Sequence, residues 1–252
     1  MTKLKKTSLE GVKKEYTEGL SAWLGARSER DKYLIPKNSS DPRLTRIDQF
    51  TFQLVSMLPQ KAVVVDLGFG PEGRDLADVI RLSKEQGKEI DALGFELVNA
   101  NITSAMQNPG FVENGRNILT GKLAQGDITK GIPLPDSSAD AIILSSVIQH
   151  MPPSLFYEKV VPELVGILKN GGTLQLIFKS SETESRKILY EDPTLGGKTR
   201  EFWLYNPEEV VDKLSTAGLK LYEGDQRFFG GIIRWVDQNR PIPYAGMYLR
   251  KS

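Results

Sequence analysis

A glycine-rich loop is the strongest chemical signal in the sequence. Residues 63–73, Val-Val-Val-Asp-Leu-Gly-Phe-Gly-Pro-Glu-Gly, join a run of apolar residues to a stretch with helical periodicity. Glycine in such a turn permits positive φ angles and lets a ligand approach the backbone closely. Gly68, Gly70 and Gly73 also match the GxGxxG pattern of dinucleotide-binding proteins, although this pattern alone has low specificity. The loop therefore predicts a binding site for a small cofactor.

Asp66, two positions before the first glycine of the loop, discriminates between cofactors. A dinucleotide would place its anionic pyrophosphate over this turn, where a carboxylate would repel it. S-adenosylmethionine has no phosphate and carries a cationic sulfonium and a cationic ammonium group, so an acidic side chain suits it. The Asp66–Gly70 segment resembles motif I of the class I S-adenosylmethionine-dependent methyltransferases, and the resemblance extends over roughly residues 60–180. It implies that Asp66, Gly68, Phe69 and Gly70 contact S-adenosylmethionine.

Further motifs follow in the order that this family has them. Glu96 ends the second predicted strand, where the resemblance implies that an acidic residue holds both ribose hydroxyls, a role that also exists in NAD-binding proteins. Asp127 and the backbone amide of Ile128 are the implied contacts to adenine. Ser145 begins a small polar pair after the fourth predicted strand, and residues 168–173 resemble the turn before the fifth. These positions complete the expected cofactor site.

His150 is the only histidine and the candidate catalytic residue. It follows the fourth predicted strand, at the sheet edge where open α/β sheets bind ligands, and its reference pKa lies near neutrality. It is expected to act as a general base or to orient the acceptor, if it does not merely pack against the next turn. The candidate contacts to the acceptor are Gln149, Trp203 and Tyr205. For the two aromatic residues the alternative is packing in the core.

The elements that position these residues alternate between strands and helices. Predicted strands are Ala62–Leu67, Ile90–Glu96, Leu123–Asp127, Ala141–Ser145, Thr173–Phe178, Leu219–Glu223 and Ala245–Arg250. Predicted helices are Arg43–Leu58, Arg74–Gln86, Val98–Met106, Leu155–Leu168 and Pro207–Ala217. The pattern predicts an α/β, Rossmann-like fold with a seven-stranded, mostly parallel sheet and helices on both faces. The last strand lacks a crossover helix and is therefore predicted to be antiparallel.

The chain is expected to form one methyltransferase domain over residues 59–252, preceded by a helical N-terminal extension over residues 1–58. Residues 1 to about 30 have a helical pattern, and residues 36–42 form a loop rich in turn-forming residues. The stretch Ser180–Arg200 is long and polar, and no helix or strand is predicted in it. A cluster of lysines between Lys3 and Lys14 is interpreted as a solvated terminus or, alternatively, a local basic patch.

Composition excludes several classes of function. The chain has no cysteine, which excludes a thiolate metal site and the cysteine-dependent cytosine methyltransferases. A single histidine excludes a multi-histidine metal centre, and no metal is expected. The net charge of +1 and the lack of an Asn/Asp-Pro-Pro-aromatic motif after the fourth strand argue against nucleic acid as a partner. With no signal peptide or long apolar run, a cytoplasmic protein without a membrane partner is expected.

The sequence thus predicts methyl transfer to an oxygen or nitrogen atom, with a small molecule as the favoured acceptor. A protein or peptide acceptor, an NAD(P)-dependent oxidoreductase and a non-catalytic S-adenosylmethionine-binding protein are the alternatives. The identity of the acceptor and the oligomeric state are left open.

Overall fold

The alternating apolar runs of the sequence form one mixed β-sheet. The computed structural model describes residues 46–108, 111–192, 198–224, 230–237 and 240–252. The strands are β1 (Lys61–Leu67), β2 (Glu89–Glu96), β3 (Val112–Glu113), β4 (Arg116–Asn117), β5 (Leu123–Gln125), β6 (Ala139–Ser145), β7 (Leu168–Lys179), β8 (Arg186–Asp192), β9 (Lys198–Leu204), β10 (Leu219–Leu221), β11 (Ile233–Asp237) and β12 (Arg240–Lys251). The helices are α1 (Arg46–Met57), α2 (Arg74–Glu85), α3 (Asn99–Gln107), α4 (Val161–Ile167) and α5 (Pro207–Thr216).

The described part of the main sheet has eight strands, seven of them in the order β10-β12-β7-β6-β1-β2-β5. The five strands from β7 to β5 are parallel to one another. Strand β12 is antiparallel to β7, β10 and β11. The mostly parallel sheet and the antiparallel last strand are therefore confirmed, whereas the strand number was wrong by one. The additional strand, β11, pairs with β12 in the segment that was predicted to be a long loop.

Helices cover both faces of the sheet, because the central strands are apolar on both sides. On one face, Val65 and Leu67 of β1 belong to a buried cluster that includes α4 and α5. On the other face, Val64 belongs to a cluster that includes α1 and α2. Since β1 contributes to both clusters, its carboxyl end is fixed from two sides, and the glycine loop that follows starts from a rigid position.

Helix α1 is held on the sheet by contacts at both of its ends. Phe50 is fully buried, and its carbonyl oxygen accepts a hydrogen bond of 2.5 Å from the Tyr248 hydroxyl. At the carboxyl end of the helix, Lys88 Nζ donates to the carbonyl oxygens of Val55, Ser56 and Leu58 at 2.6, 3.2 and 2.7 Å. A lysine in this position satisfies carbonyl groups that lack partners within the helix and interacts favourably with the helix dipole.

Three other predicted elements differ from the structure. The polar stretch Ser180–Arg200, for which no helix or strand was predicted, contains β8 and the first residues of β9, which pair as an antiparallel hairpin. The predicted strand Leu123–Asp127 ends at Gln125, so Asp127 lies in the following turn. The predicted helix Leu155–Leu168 contains a π-helical turn at Phe156–Val160, and β7 already begins at Leu168.

The predictions for the first 45 residues lie outside the described residues. These are the N-terminal helix, the loop at residues 36–42 and the lysine cluster, together with most of the proposed extension over residues 1–58. Among the helices that are described, none is long and apolar enough to cross a membrane.

Candidate functional site

A cleft of about 690 Å³, partly open to solvent, lies at the carboxyl ends of the parallel strands. Its walls come from the loops after β1, β2, β5 and β6, because the carboxyl ends of parallel strands meet at one edge of a sheet. The lining residues are Gly68, Gly70, Phe95, Glu96, Leu97, Val98, Asn101, Gly126, Asp127, Ile128, Thr129, Ser146, Val147, His150 and Met151. The cleft therefore contains six of the nine predicted cofactor-site and catalytic residues: Gly68, Gly70, Glu96, Asp127, Ile128 and His150.

The glycine loop presents bare backbone to this cleft. Gly68 and Gly70 have φ angles of 78° and 66°, in the left-handed region that favours glycine. A Cβ atom at Gly70 would meet nothing within 4 Å, so this residue faces open space. A Cβ atom at Gly68 would lie 2.6 Å from Val147 Cγ2, which shows that the Val147 side chain packs directly on the loop. Phe69 is buried against Gly94 and is not among the residues that line the cleft.

Glu96 connects the glycine loop to the segment after β2. Its Oε2 atom accepts a hydrogen bond of 2.9 Å from the Gly70 amide, and its Oε1 atom accepts one of 3.0 Å from the Val98 amide. Burial raises the pKa of this carboxyl, while these two bonds and one from the Asn101 side chain act to lower it. A carboxylate has about four lone-pair positions, so Glu96 retains acceptor capacity towards the cleft.

Asp66 lies behind the loop and not in the wall of the cleft. It is 1% exposed, and its Oδ2 atom accepts no hydrogen bond from any described residue. Burial, together with the negative charges of Asp75 and Glu96, raises the pKa of Asp66 well above its ordinary value. Asp75 itself accepts a hydrogen bond of 2.9 Å from Thr51 Oγ1. A cation placed near the loop would stabilise the ionised form of Asp66 and lower this pKa.

Asp127 is fixed by its own turn. Its Oδ1 atom accepts hydrogen bonds from the Thr129 amide at 3.1 Å and from Thr129 Oγ1 at 2.7 Å, and Lys130 Nζ lies 3.3 Å from Oδ2. Burial acts to raise the pKa of Asp127, but the hydrogen bonds from Thr129 and the charge of Lys130 outweigh it and hold the pKa below its ordinary value. Asp127 is thus an ionised hydrogen-bond acceptor at neutral pH.

The chain turns sharply where β6 ends. Ser146 has a φ angle of 59°, a left-handed conformation that costs a non-glycine residue about 1–2 kcal/mol. Its amide donates to the Ile177 carbonyl at 2.8 Å, and the next residues form a 3₁₀ turn over Ile148–His150. Ser146 lines the cleft, whereas the predicted Ser145 does not. Strained backbone of this kind is often retained at functional sites.

His150 lies in the cleft wall on the far side of this turn. Its ring centroid is 5.3 Å from that of Phe202 on β9. Burial, followed by the positive charges of Arg200 and Lys179, lowers the pKa of His150 well below its ordinary value. The imidazole is therefore neutral at physiological pH, so it can accept a proton or a hydrogen bond.

The three predicted acceptor contacts lie outside the lining of the cleft. Gln149 is buried, and its Oε1 atom accepts a hydrogen bond of 3.2 Å from the Lys179 amide. Tyr205 is fully buried and donates a hydrogen bond of 2.9 Å to the carbonyl oxygen of Met151, which does line the cleft. Trp203 is half-buried and packs against the core cluster on the α4 and α5 face. Gln149 and Tyr205 thus support the wall of the cleft from behind.

Nine lining residues were not singled out from the sequence as contacts: Phe95, Leu97, Val98, Asn101, Gly126, Thr129, Ser146, Val147 and Met151. Each lies at the end of a predicted strand or a few positions after it. That position along the chain is the one signal by which they could have been found.

One family of sequence models matches part of the chain. Residues 75–176 match the model of a methyltransferase domain, starting just after the glycine loop. The glycine loop lies outside the matched residues, so it supports a cofactor site independently of this match. No curated protein shows significant sequence similarity to the chain.

Several solved structures have a similar fold. The 1,6-didemethyltoxoflavin-N1-methyltransferase of Burkholderia thailandensis, with bound 1,6-didemethyltoxoflavin and S-adenosylhomocysteine, has a TM-score of 0.55 at 17% identity, over 95% of this chain and 90% of its own. A S-adenosylmethionine-dependent methyltransferase of Methanosarcina mazei has a TM-score of 0.59 at 16% identity, over 82% of this chain and 98% of its own. The [4+2]-cyclase SpnF has a TM-score of 0.61 at 14% identity, over 95% of each chain. At these identities the similarity establishes the fold.

Proposed function

We propose that this chain is a class I S-adenosylmethionine-dependent methyltransferase that transfers a methyl group to an oxygen or nitrogen atom of a small-molecule acceptor. The match to a methyltransferase-domain model over residues 75–176 and the fold shared with such enzymes support the proposal. The cofactor is S-adenosylmethionine. The observation that carries the proposal is the meeting of bare glycine backbone, a buried acidic side chain and a second carboxylate at one cleft, formed by Gly70, Glu96 and Asp127.

The residues present fit this cofactor. Glu96 is suited to hold the ribose, because it is fixed by two backbone amides and retains acceptor capacity towards the cleft. Asp127 and the Ile128 amide are suited to adenine, since an ionised carboxylate accepts from an amino group and an amide donates to a ring nitrogen. The open space at Gly70 leaves room for the methionine part of the molecule.

The electrostatics of the loop favour a cationic cofactor over a dinucleotide. Burial, together with the negative charges of Asp75 and Glu96, raises the pKa of Asp66. A pyrophosphate beside this group would add further repulsion, whereas an ammonium or sulfonium group would relieve it. This argument supports S-adenosylmethionine and counts against an NAD(P)-dependent oxidoreductase.

When bound, the cofactor supplies an activated methyl group: the acceptor lone pair forms a bond to the methyl carbon while the carbon–sulfur bond breaks and its electrons remain on sulfur. Much of the catalysis of such a displacement comes from positioning. The protein supplies a fixed wall for the acceptor through Val147, which packs on Gly68, and through Met151, whose carbonyl is held by Tyr205.

His150 is proposed to hold or remove the acceptor proton. Because its pKa is lowered, the imidazole is in the accepting form over the whole physiological range, but it is also a weak base. It therefore suits an acceptor whose own proton is acidic, or one that it orients through a hydrogen bond. A small acceptor is supported by the structural neighbour from Burkholderia thailandensis, which holds the small molecule 1,6-didemethyltoxoflavin.

Calorimetric titration with S-adenosylmethionine, S-adenosylhomocysteine and NADH tests the proposal. The two adenosyl ligands should bind in the micromolar range, and binding should be lost in Asp66→Ala. Methyl transfer from labelled cofactor to a panel of small acceptors should then collapse in His150→Asn, with S-adenosylhomocysteine affinity nearly intact. Binding of NADH with no signal from either adenosyl ligand would overturn the proposed function. Retained turnover in His150→Asn would remove only the role of His150.

A further inference from the structure

Asn101 is a buried polar residue in the wall of the cleft, beside Glu96. It lies in the first turn of α3, is 1% exposed and lines the cleft. Its backbone amide donates a hydrogen bond of 2.9 Å to the Val98 carbonyl, which fixes the start of the helix. Ala105 follows one turn later on the same face of α3, and its Cβ atom would lie 3.3 Å from a Cβ atom at Gly73. Asn101 therefore lies on the face of α3 that packs against the glycine loop.

The Asn101 amide group has one polar atom in use and one without a partner. Its side chain forms a hydrogen bond with the Glu96 carboxylate, and since an ionised carboxylate can only accept, the donor is Nδ2. The Oδ1 atom is buried and accepts no hydrogen bond from any described residue. The large majority of buried side-chain polar atoms are hydrogen-bonded, so a lone acceptor in the wall of a cleft indicates a donor on a ligand.

Glu96 has too few free acceptor positions for both hydroxyls of a ribose. A carboxylate offers about four lone-pair positions. The Gly70 amide occupies one at 2.9 Å, the Val98 amide occupies a second at 3.0 Å, and the Asn101 side chain occupies a third. At most about one position is then left for a ligand, whereas a ribose presents two hydroxyl donors. Among the residues that line the cleft, Asn101 carries the buried side-chain oxygen that has no partner within the described structure.

We propose that Asn101 shares the ribose of the cofactor with Glu96, with Oδ1 accepting from one hydroxyl and the Glu96 carboxylate accepting from the other. This inference rests on the proposed function, since it concerns the cofactor of that reaction. Because Oδ1 exposes almost no surface, a small rotation of the amide end must turn it towards the ribose as the cofactor binds. Asn101 is then a cofactor-binding residue that the resemblance to the methyltransferase family did not imply.

Calorimetric titration with S-adenosylhomocysteine and with its 2′-deoxy and 3′-deoxy analogues tests the proposal. In wild type, loss of the hydroxyl held by Glu96 should weaken binding by about 10- to 150-fold, and loss of the hydroxyl held by Asn101 by about 2- to 10-fold, because a hydrogen bond to a charged group is the stronger one. In Asn101→Leu the smaller penalty should disappear and the larger one should remain. Any other pattern overturns the proposal; loss of both penalties, for example, would show that Asn101 acts only by supporting Glu96.

Matched variants control for effects on the fold. Asn101→Ala removes the amide group without adding bulk and should give the same pattern as Asn101→Leu. Asn99→Leu and Asn99→Ala change an exposed asparagine in the same turn of α3 and should keep both penalties. Each penalty is a ratio of two affinities measured on one variant, so a partly unfolded sample lowers both affinities equally and leaves the ratio unchanged.

The affinity of wild type for S-adenosylhomocysteine separates the two proposals. If wild type does not bind this ligand, the proposed function fails. If wild type binds the ligand and Asn101→Leu keeps both penalties, only the inference about Asn101 fails.

Discussion

Replacing Glu96 with glutamine tests whether this carboxylate holds the ribose of the cofactor. In the structure both of its oxygens are already engaged, with the Gly70 amide at 2.9 Å and the Val98 amide at 3.0 Å. Glutamine has one oxygen acceptor, and its amide nitrogen can only donate. In the variant, the side-chain NH₂ group would replace one of the two carboxylate oxygens. The backbone amide and the ribose hydroxyl on that side would then face a donor instead of an acceptor.

The size of the effect follows from the hydrogen bonds that are lost. A hydrogen bond to a charged group contributes about 1.5–3 kcal/mol, and 1.4 kcal/mol corresponds to about a tenfold change in affinity. Loss of one ribose contact should therefore weaken binding of S-adenosylhomocysteine by about 10- to 150-fold. Loss of the contact to the loop amide should lower the free energy of unfolding of the unliganded protein by about 1–3 kcal/mol.

A double comparison separates the ribose contact from a general distortion of the loop. Affinities for S-adenosylhomocysteine and for its 2′,3′-dideoxy analogue are measured by calorimetry in wild type and in Glu96→Gln. Wild type should discriminate strongly between the two ligands, and the variant should discriminate weakly. Glu89→Gln, an exposed change in the same strand, should behave as wild type. Equal discrimination by wild type and Glu96→Gln would refute the role of Glu96 in ribose binding.

Three further predictions concern Asp66, Lys88 and Gln175. Burial and the neighbouring carboxylates raise the pKa of Asp66, whereas a bound cation favours its ionised form. Binding of S-adenosylmethionine should therefore release a proton. The affinity should also increase as the pH rises from the ordinary carboxyl range towards the raised pKa. Calorimetry in buffers with different ionisation enthalpies measures this release, and an unchanged release in Asp66→Asn would contradict the assignment. Lys88→Met should lower the free energy of unfolding by about 1–2 kcal/mol in urea denaturation, because three carbonyl groups lose the ammonium group as a donor. The control is Lys84→Met, an exposed change for which the free energy of unfolding should change by less than about 0.5 kcal/mol. Gln175 is fully buried, and neither of its side-chain polar atoms has a hydrogen-bond partner within the described structure. Gln175→Leu should therefore raise the free energy of unfolding by about 1–3 kcal/mol in the same assay. A lower free energy of unfolding would show that the amide forms hydrogen bonds in the folded protein.

The cofactor end of the site could largely be predicted from the sequence. Strands β1, β2 and β6 are short apolar runs, and each is followed closely by the residues that line the cleft. Since parallel strands present their carboxyl ends at one edge, the order of the motifs was sufficient to bring Gly70, Glu96 and Asp127 together. The roles of these residues towards the cofactor remain predictions that the binding experiments test.

The hairpin of β8 and β9, which packs beside the cleft through Phe202 and His150, could not be predicted in the same way. The hairpin of β8 and β9 has only a weak apolar alternation, because it is two-stranded and partly exposed: Leu189 is 70% exposed. Its sequence therefore has the composition of a loop. Arg200 lies 21 positions after Lys179 in the chain and 50 after His150, so no local pattern could show that the three side chains meet at one aromatic ring.

The turn after β6 also depended on tertiary contacts. Ser145 and Ser146 are the same residue type, and the sequence offers no reason to choose between them. The left-handed conformation of Ser146, with its amide bonded to Ile177, decides which serine reaches the cleft. The same turn directs Gln149 towards the Lys179 backbone and away from the cleft.

This turn joins the glycine loop to the elements behind the wall of the cleft. Val147 packs on Gly68 of the glycine loop, and Gln149 accepts a hydrogen bond from the Lys179 amide behind the wall of the cleft. The Tyr205 hydroxyl holds the carbonyl of Met151 from the core. A displacement of the turn would therefore disturb the packing on the glycine loop and the contacts with β7 and Tyr205 together. We therefore expect residues 146–151 to act as one unit, so that a substitution that relaxes this unit changes the positioning of the proposed cofactor and acceptor even where it contacts neither.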